Sequence, residues 1–157
     1  MTTETTTAWL SDTEQQTWRR WLALSAQLPA LLHRELQHDS ELSLPDFDVL
    51  VRLTDDDRGR ERIAQLAEAL QWERSRLSHH VTRMARRGLV EKEECLDDGR
   101  GSLVVLTDAG RAAIERAAPA HVRTVRRAFF DALSAQEVEL LGELTEKVLA
   151  RLRTAAQ

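Results

Sequence analysis

Between Ile63 and Leu106 the apolar residues keep a helical period as far as Gly88 and an alternating one beyond it. That change constrains the fold more than any other feature of the chain. Ile63, Leu66, Ala67 and Leu70 lie on one face of a short helix, and Gln71, Trp72 and Glu73 must then turn the chain. Leu77, Val81 and Met84 form the inward stripe of a second helix, which stops at Gly88, a residue suited to left-handed backbone after a helix end. Residues 89–95 and 103–106 read as two strands, and Gly99 and Gly101 mark the tip of the hairpin between them.

Short helix, three-residue turn, second helix and hairpin follow in the order of a winged helix-turn-helix. The first helix braces the second through Ile63, Leu66, Ala67 and Leu70, with Trp72 at the corner. The outer face of the second is left to solvent or to a partner. It carries Ser75, Arg76, Ser78, His79, Thr82, Arg83 and Arg86, with Arg74 at its start; these hydroxyls and guanidiniums can donate to phosphates and to guanine edges in a major groove. The same composition fits an ordinary solvated helix face, and it is the hairpin that tips the balance toward DNA. Charge agrees in its distribution rather than its sum. Residues 73–88 hold five arginines against Glu73, whereas the whole chain carries a formal −4, so docking on phosphate would be local.

The flanking segments read as long helices. Ser11-Asp12-Thr13-Glu14 is a helix start, followed at helical spacing by Trp18, Leu22, Ser25, Leu28, Leu32 and Leu36. Pro29 inside this run predicts a kink or a break. Ser43 caps the next helix, with Pro45 in its first turn and Phe47, Leu50 and Leu53 on one face, up to Asp55-Asp56-Asp57. Arg58-Gly59-Arg60 reads as a polar loop. Thr107 starts a helix expected to run past Phe130 with a bend at Pro119, and the box Ser134-Ala135-Gln136-Glu137 starts the last one, with Val138, Leu141, Val148 and Leu152 on one side. The fold class is therefore mainly α with a small β-hairpin wing. Its expected organisation is a mobile arm over residues 1–10 and one domain over 11–157, in which 43–106 form the winged helix-turn-helix.

The segment Asp98-Gly99-Arg100-Gly101-Ser102-Leu103-Val104-Val105-Leu106-Thr107-Asp108-Ala109-Gly110 resembles the wing of the MarR family of bacterial regulators, with its Asp-x-Arg, then Leu-Thr and Gly. Residues 77–90 are similar to the end of that family's recognition helix. The resemblance runs from about Ser11 to Arg153. It implies that Ser75, Arg76, Ser78, His79 and Arg83 form the major-groove set, and that Arg100 enters the minor groove with Asp98 orienting it. A narrow minor groove attracts a guanidinium, although a solvated turn pair would look the same in sequence. The resemblance also implies a homodimer, in which residues 11–39 and 107–155 cover one another's leucines, and a palindromic site with half-sites about one DNA turn apart.

Many members of that family bind small aromatic or anionic molecules. Trp18, Trp21 and Phe47 could line such a cleft, with His33, Arg34 and Arg52 adding polarity; core packing is the competing reading. The five histidines lack ligand spacing, and Cys95, the single cysteine, lies among acidic residues that disfavour its thiolate. No metal or cofactor is expected. No nucleophile triad, phosphate loop or carboxylate pair points to an enzyme. The polar N-terminus and the absence of a long apolar run imply a cytoplasmic protein without membrane contact. The expected function is a DNA-binding transcriptional regulator, a repressor modulated by a small molecule. A winged helix used only for protein contact is the alternative, and it would call for apolar residues on the outer helix face.

Overall fold

A computed structural model describes residues 9–94 and 101–155. The element order is α1 (Asp12–Ser40), α2 (Leu44–Thr54), β1 (Arg60–Arg62), α3 (Ile63–Leu70), α4 (Arg74–Arg86), β2 (Val90–Glu94), β3 (Ser102–Leu106), α5 (Asp108–Ala128), a 3-10 turn at Phe130–Ala132, and α6 (Ala135–Ala155). Among the described residues no helix is long and apolar enough to cross a membrane.

Local chemistry sets most boundaries. Ser11 Oγ accepts the Glu14 N–H and the Glu14 carboxylate accepts the Ser11 N–H, a reciprocal cap that starts α1. Ser43 and Asp46 repeat the arrangement at α2, as do Ser134 and Glu137 at α6. α1 continues through Pro29 without a break. α5, by contrast, ends at Ala128 rather than running past Phe130. Phe129 leaves helical geometry at φ −126°, and the chain passes through the 3-10 turn before α6. The Phe129 and Phe130 rings meet edge to face there, with centroids 5.1 Å apart.

The sheet has three strands rather than the two of a hairpin. β1 pairs antiparallel with β3 (Arg60 opposite Val105, Arg62 opposite Leu103), and β3 pairs with β2 (Val104 opposite Lys92), giving the order β1-β3-β2. Arg60, read as part of a polar loop, therefore enters a strand. The alternation of Arg60-Glu61-Arg62 is set by partners: Glu61 takes a two-pronged bond from Arg52 of α2, at 3.0 and 2.8 Å. Arg52 thus ties α2 to β1, apart from Trp18 and Trp21 on α1.

The core lies under the winged part. Leu50 and Leu53 of α2, Leu66 of α3, Leu77, Val81 and Met84 of α4, and Val104 of β3 are fully enclosed, and α5 adds Ala113, Ile114 and Ala117. The terminal helices contribute little. Leu36 is the only buried residue of α1, and α6 has none.

Candidate nucleic-acid interface

The α3–α4 corner is built by backbone and aromatic packing. Gln71 adopts left-handed φ 54°, and the Trp72 N–H closes on the Ala67 carbonyl at 2.9 Å, a helix-ending pattern that reverses the chain within three residues. Trp72 then meets the ring of His80 edge to face, with centroids 5.6 Å apart, and carries the Arg76 guanidinium over its own face at 4.6 Å. Ile63, Leu66 and Ala67 are buried with Leu77, Val81 and Met84, as the stripes require.

With that stripe turned inward, the outer face of α4 presents Arg74, Ser75, Arg76, His79, Arg83 and Arg86 to solvent, with Ser78 and Thr82 half-buried at its margin. No large apolar side chain interrupts it. Lys92 of β2 reaches this face, its Nζ 3.4 Å from Thr82 Oγ1. Sequence reasoning passed over Lys92. The signal was the strand register, which puts Lys92 opposite the buried Val104 and so on the sheet face that packs toward the helices.

A second set missed at the sequence level holds α4 in place. Asp46 of α2 is 2 % exposed. One of its carboxylate oxygens lies 3.0 Å from His80 Nε2; the other accepts from Arg87 Nη1 at 2.7 Å and from the Ser43 N–H at 2.9 Å. Burial pushes the Asp46 carboxyl up, but the bonds from His80, Arg87 and Ser43 together outweigh it and hold the group well below the usual carboxylate range. Arg87 also donates to the Glu41 carbonyl at 3.2 Å. Of the five arginines in the basic island, this one is tied to the scaffold through Asp46 although its side chain stays partly exposed. The signal that could have found His80 is its place as a polar residue beside the stripe Leu77, Val81 and Met84; nothing in the sequence points to its partner on α2.

At the other end of the wing, Thr107 Oγ1 accepts the Gly110 N–H at 2.9 Å and donates to the Gly88 carbonyl at 2.6 Å. A Cβ on Gly110 would lie 2.0 Å from the Leu89 carbonyl oxygen. The Thr-Asp-Ala-Gly segment is therefore the joint at which α5 leaves the sheet, and it requires glycine for close backbone approach. Asp98, Arg100 and Cys95 lie outside the described residues.

The three aromatic candidates for a ligand cleft do not come together within the chain. Phe47 is 7 % exposed and stacks against His121, with centroids 4.2 Å apart, and burial pushes that imidazole down. Trp18 and Trp21 are about half exposed on the N-terminal half of α1. At a rise of roughly 1.5 Å per residue, Trp21 stands ~22 Å along the helix from Leu36, the point where α1 enters the core. His33, placed beside them in sequence, instead accepts the Leu44 N–H on Nδ1 at 3.2 Å, tying α1 to α2. Among the described residues no three His, Cys, Asp or Glu side chains gather as metal ligands.

A braced second helix with an unobstructed cationic face, flanked by a three-stranded wing, defines a winged helix-turn-helix DNA-binding protein. Comparisons with known proteins agree. The MarR family profile matches residues 42–102. The transcriptional regulator HosA of Escherichia coli is 34% identical over 114 residues, covering 72% of this chain and 82% of HosA. The crystal structure of AbsC, a MarR family transcriptional regulator from Streptomyces coelicolor, superposes with a TM-score of 0.87 at 38% identity, covering 94% of this chain and 99% of AbsC. Sco3205 of the same organism, another MarR family transcriptional regulator, crystallised in complex with DNA. It gives a TM-score of 0.86 at 38% identity, covering 90% of this chain and 89% of Sco3205. The chain belongs to the MarR family of transcriptional regulators.

Proposed function

We propose that this regulator is a repressor that binds palindromic duplex DNA as a homodimer. Its α4 would lie in the major groove, with Arg74, Ser75, Arg76, Ser78, His79, Thr82, Arg83 and Arg86 as the contacting set, and Lys92 would meet a phosphate at its margin. The observation that carries this reading is the outer face of α4: guanidiniums and hydroxyls without an apolar side chain, on a helix whose other face is fixed in the core. The DNA complex of Sco3205 supports it. Asp98 and Arg100 join the proposal on sequence alone, as a minor-groove contact.

The test uses a duplex enriched from a random-sequence library by the wild-type protein, titrated over a salt series. Arg83→Ala and Arg76→Ala should each weaken specific binding by about 1–3 kcal/mol if the side chain reads a base edge, or reduce the salt slope by about one if it meets phosphate. Unchanged binding in both folded variants would move the interface elsewhere. Failure to enrich any duplex would favour the protein-contact alternative.

Dimerisation rests on unfinished burial. Leu140, Leu144, Val148, Leu149 and Leu152 of α6, and Trp18, Trp21, Leu22 and Leu24 of α1, are exposed in the single chain. A second copy related by a two-fold axis would cover both sets. Sedimentation should show a species of twice 17.9 kDa at micromolar concentration; a stable folded monomer there would remove the basis for a palindrome. Modulation by a small aromatic or anionic effector completes the proposal. In the homodimer Trp18 and Trp21 would serve it only at the seam between the two copies, whereas a ligand reaching Phe47 must first displace His121.

A further inference from the structure

Arg83 differs from the other outward arginines of α4 in what holds it. Its Nη2 lies 3.0 Å from Nδ1 of His80, one helical turn before it. An arginine only donates, so Nδ1 must be the accepting nitrogen and the ring proton sits on Nε2. Nε2 lies 3.0 Å from the Asp46 carboxylate, which only accepts when ionised. The two neighbours therefore demand the same tautomer. Asp46 is in turn held by Ser43 and Arg87. Nε2 faces its carboxylate without the alignment of a full hydrogen bond, so a hydrogen bond and then a charge contact link the surface guanidinium, through a histidine 8 % exposed, to the cap of α2. Among the described residues Arg74 and Arg86 show no such support, and Arg76 rests on the Trp72 ring without a hydrogen-bond acceptor.

We propose that His80 is a specificity-determining positioning residue: with its tautomer set by Asp46, it fixes the Arg83 guanidinium in the pose that reads a base pair in the major groove. This rests on the assignment of α4 as the recognition helix. A guanidinium oriented before contact keeps its planar fork of remaining N–H groups aimed in one direction, and bidentate recognition of a guanine edge depends on that orientation. An unsupported arginine in the same place samples several rotamers and serves equally well as a phosphate contact, so loss of the support would lower discrimination more than general affinity.

Two substitutions divide the chain at the ring. In His80→Gln the terminal amide can still donate to Asp46, but no acceptor remains where Nδ1 stood. In His80→Asn the side-chain oxygen can stand near the Nδ1 position while the link to Asp46 is cut. Each variant, with Arg83→Ala and the double variant Arg83→Ala/His80→Gln, is titrated on the duplex enriched by the wild-type protein and on duplexes carrying each single base-pair change. Arg83→Ala should abolish preference at one base pair of each half-site. His80→Gln should lower preference at that same pair by about five-fold or more, within the range of one lost base contact. Preference elsewhere should be kept, and the double variant should resemble Arg83→Ala alone. His80→Asn should retain most of the preference despite its lower thermal stability. Intact preference in His80→Gln, a uniform loss at every position, or a loss that adds to that of Arg83→Ala overturns the proposal. If Arg83→Ala alters no preference while wild-type DNA binding stands, the assignment of Arg83 itself has failed, and the role of His80 falls with it. Nitrogen-15 spectra of the wild-type imidazoles give a check that needs no variant to fold: His80 must show a proton on Nε2 and none on Nδ1, and the opposite tautomer overturns the proposal.

Discussion

Asp46→Ala is expected to destabilise the folded chain by about 3 kcal/mol at pH 7, the lower end of the range for breaking a buried charged network by removing one member. The lower end applies because the Arg87 side chain is 45 % exposed and solvent weakens its share. The variant leaves the Ser43 N–H without its acceptor and removes the carboxylate 3.0 Å from His80 Nε2 in a nearly closed site. The pH dependence has a definite sign. A carboxyl held below its ordinary value of 3.8 when folded binds fewer protons in the native than in the unfolded state, so its stabilisation is complete above that value and is lost as pH falls through it toward the folded value. The stability difference between wild type and Asp46→Ala, from urea midpoints, should therefore narrow as pH is lowered below about 4. A difference that stays constant down to pH 3 would show that the native network does not favour the ionised carboxyl.

Gly110→Ala is expected to cost at least about 3 kcal/mol, at or above the upper end of overpacking costs, because the added methyl meets backbone rather than a side chain that can swing away. Its Cβ would lie 2.0 Å from the Leu89 oxygen and 2.9 Å from Leu106 Cδ1. Relief requires moving the start of α5 and loosening both Thr107 bonds. The thermal midpoint should fall by ~6–12 °C. Gly88→Ala serves as the comparison. Its Cβ has open space, but φ is +74°, so only the left-handed backbone opposes it, at about 1–2 kcal/mol. Equal losses in the two variants would mean that the joint at Gly110 yields more easily than its geometry requires.

The parts of the fold legible in the sequence are those where each residue reports its own surroundings. The α3 and α4 stripes, the serine caps and Gly88 needed no distant partner to be read, and the outer face of α4 follows from its inner one. β1 was illegible because Arg60-Glu61-Arg62 has no apolar residue to alternate; it becomes a strand through β3, more than forty residues further on. The end of α5 was overshot because Phe129 and Phe130 continue an apolar helical pattern while their rings pack on each other and turn the backbone. Nothing in the sequence around Asp46 marks it as part of a network. Its role depends on His80 and Arg87, brought to it by folding alone. At the site, the candidates on α4 could be named from spacing, but which arginine is tethered to which neighbour could not.

One buried residue in the 29 of α1 bears on how a cell would set the amount of this protein. Where two copies cover these helices, the fraction covered follows mass action and falls on dilution. An uncovered copy displays Trp18, Trp21 and the leucines of α6, the kind of surface that chaperones and proteases use in quality control. Turnover would then quicken as the pool shrinks and slow as it fills, giving the level of the protein a threshold set by its own pairing constant, without any additional degradation signal.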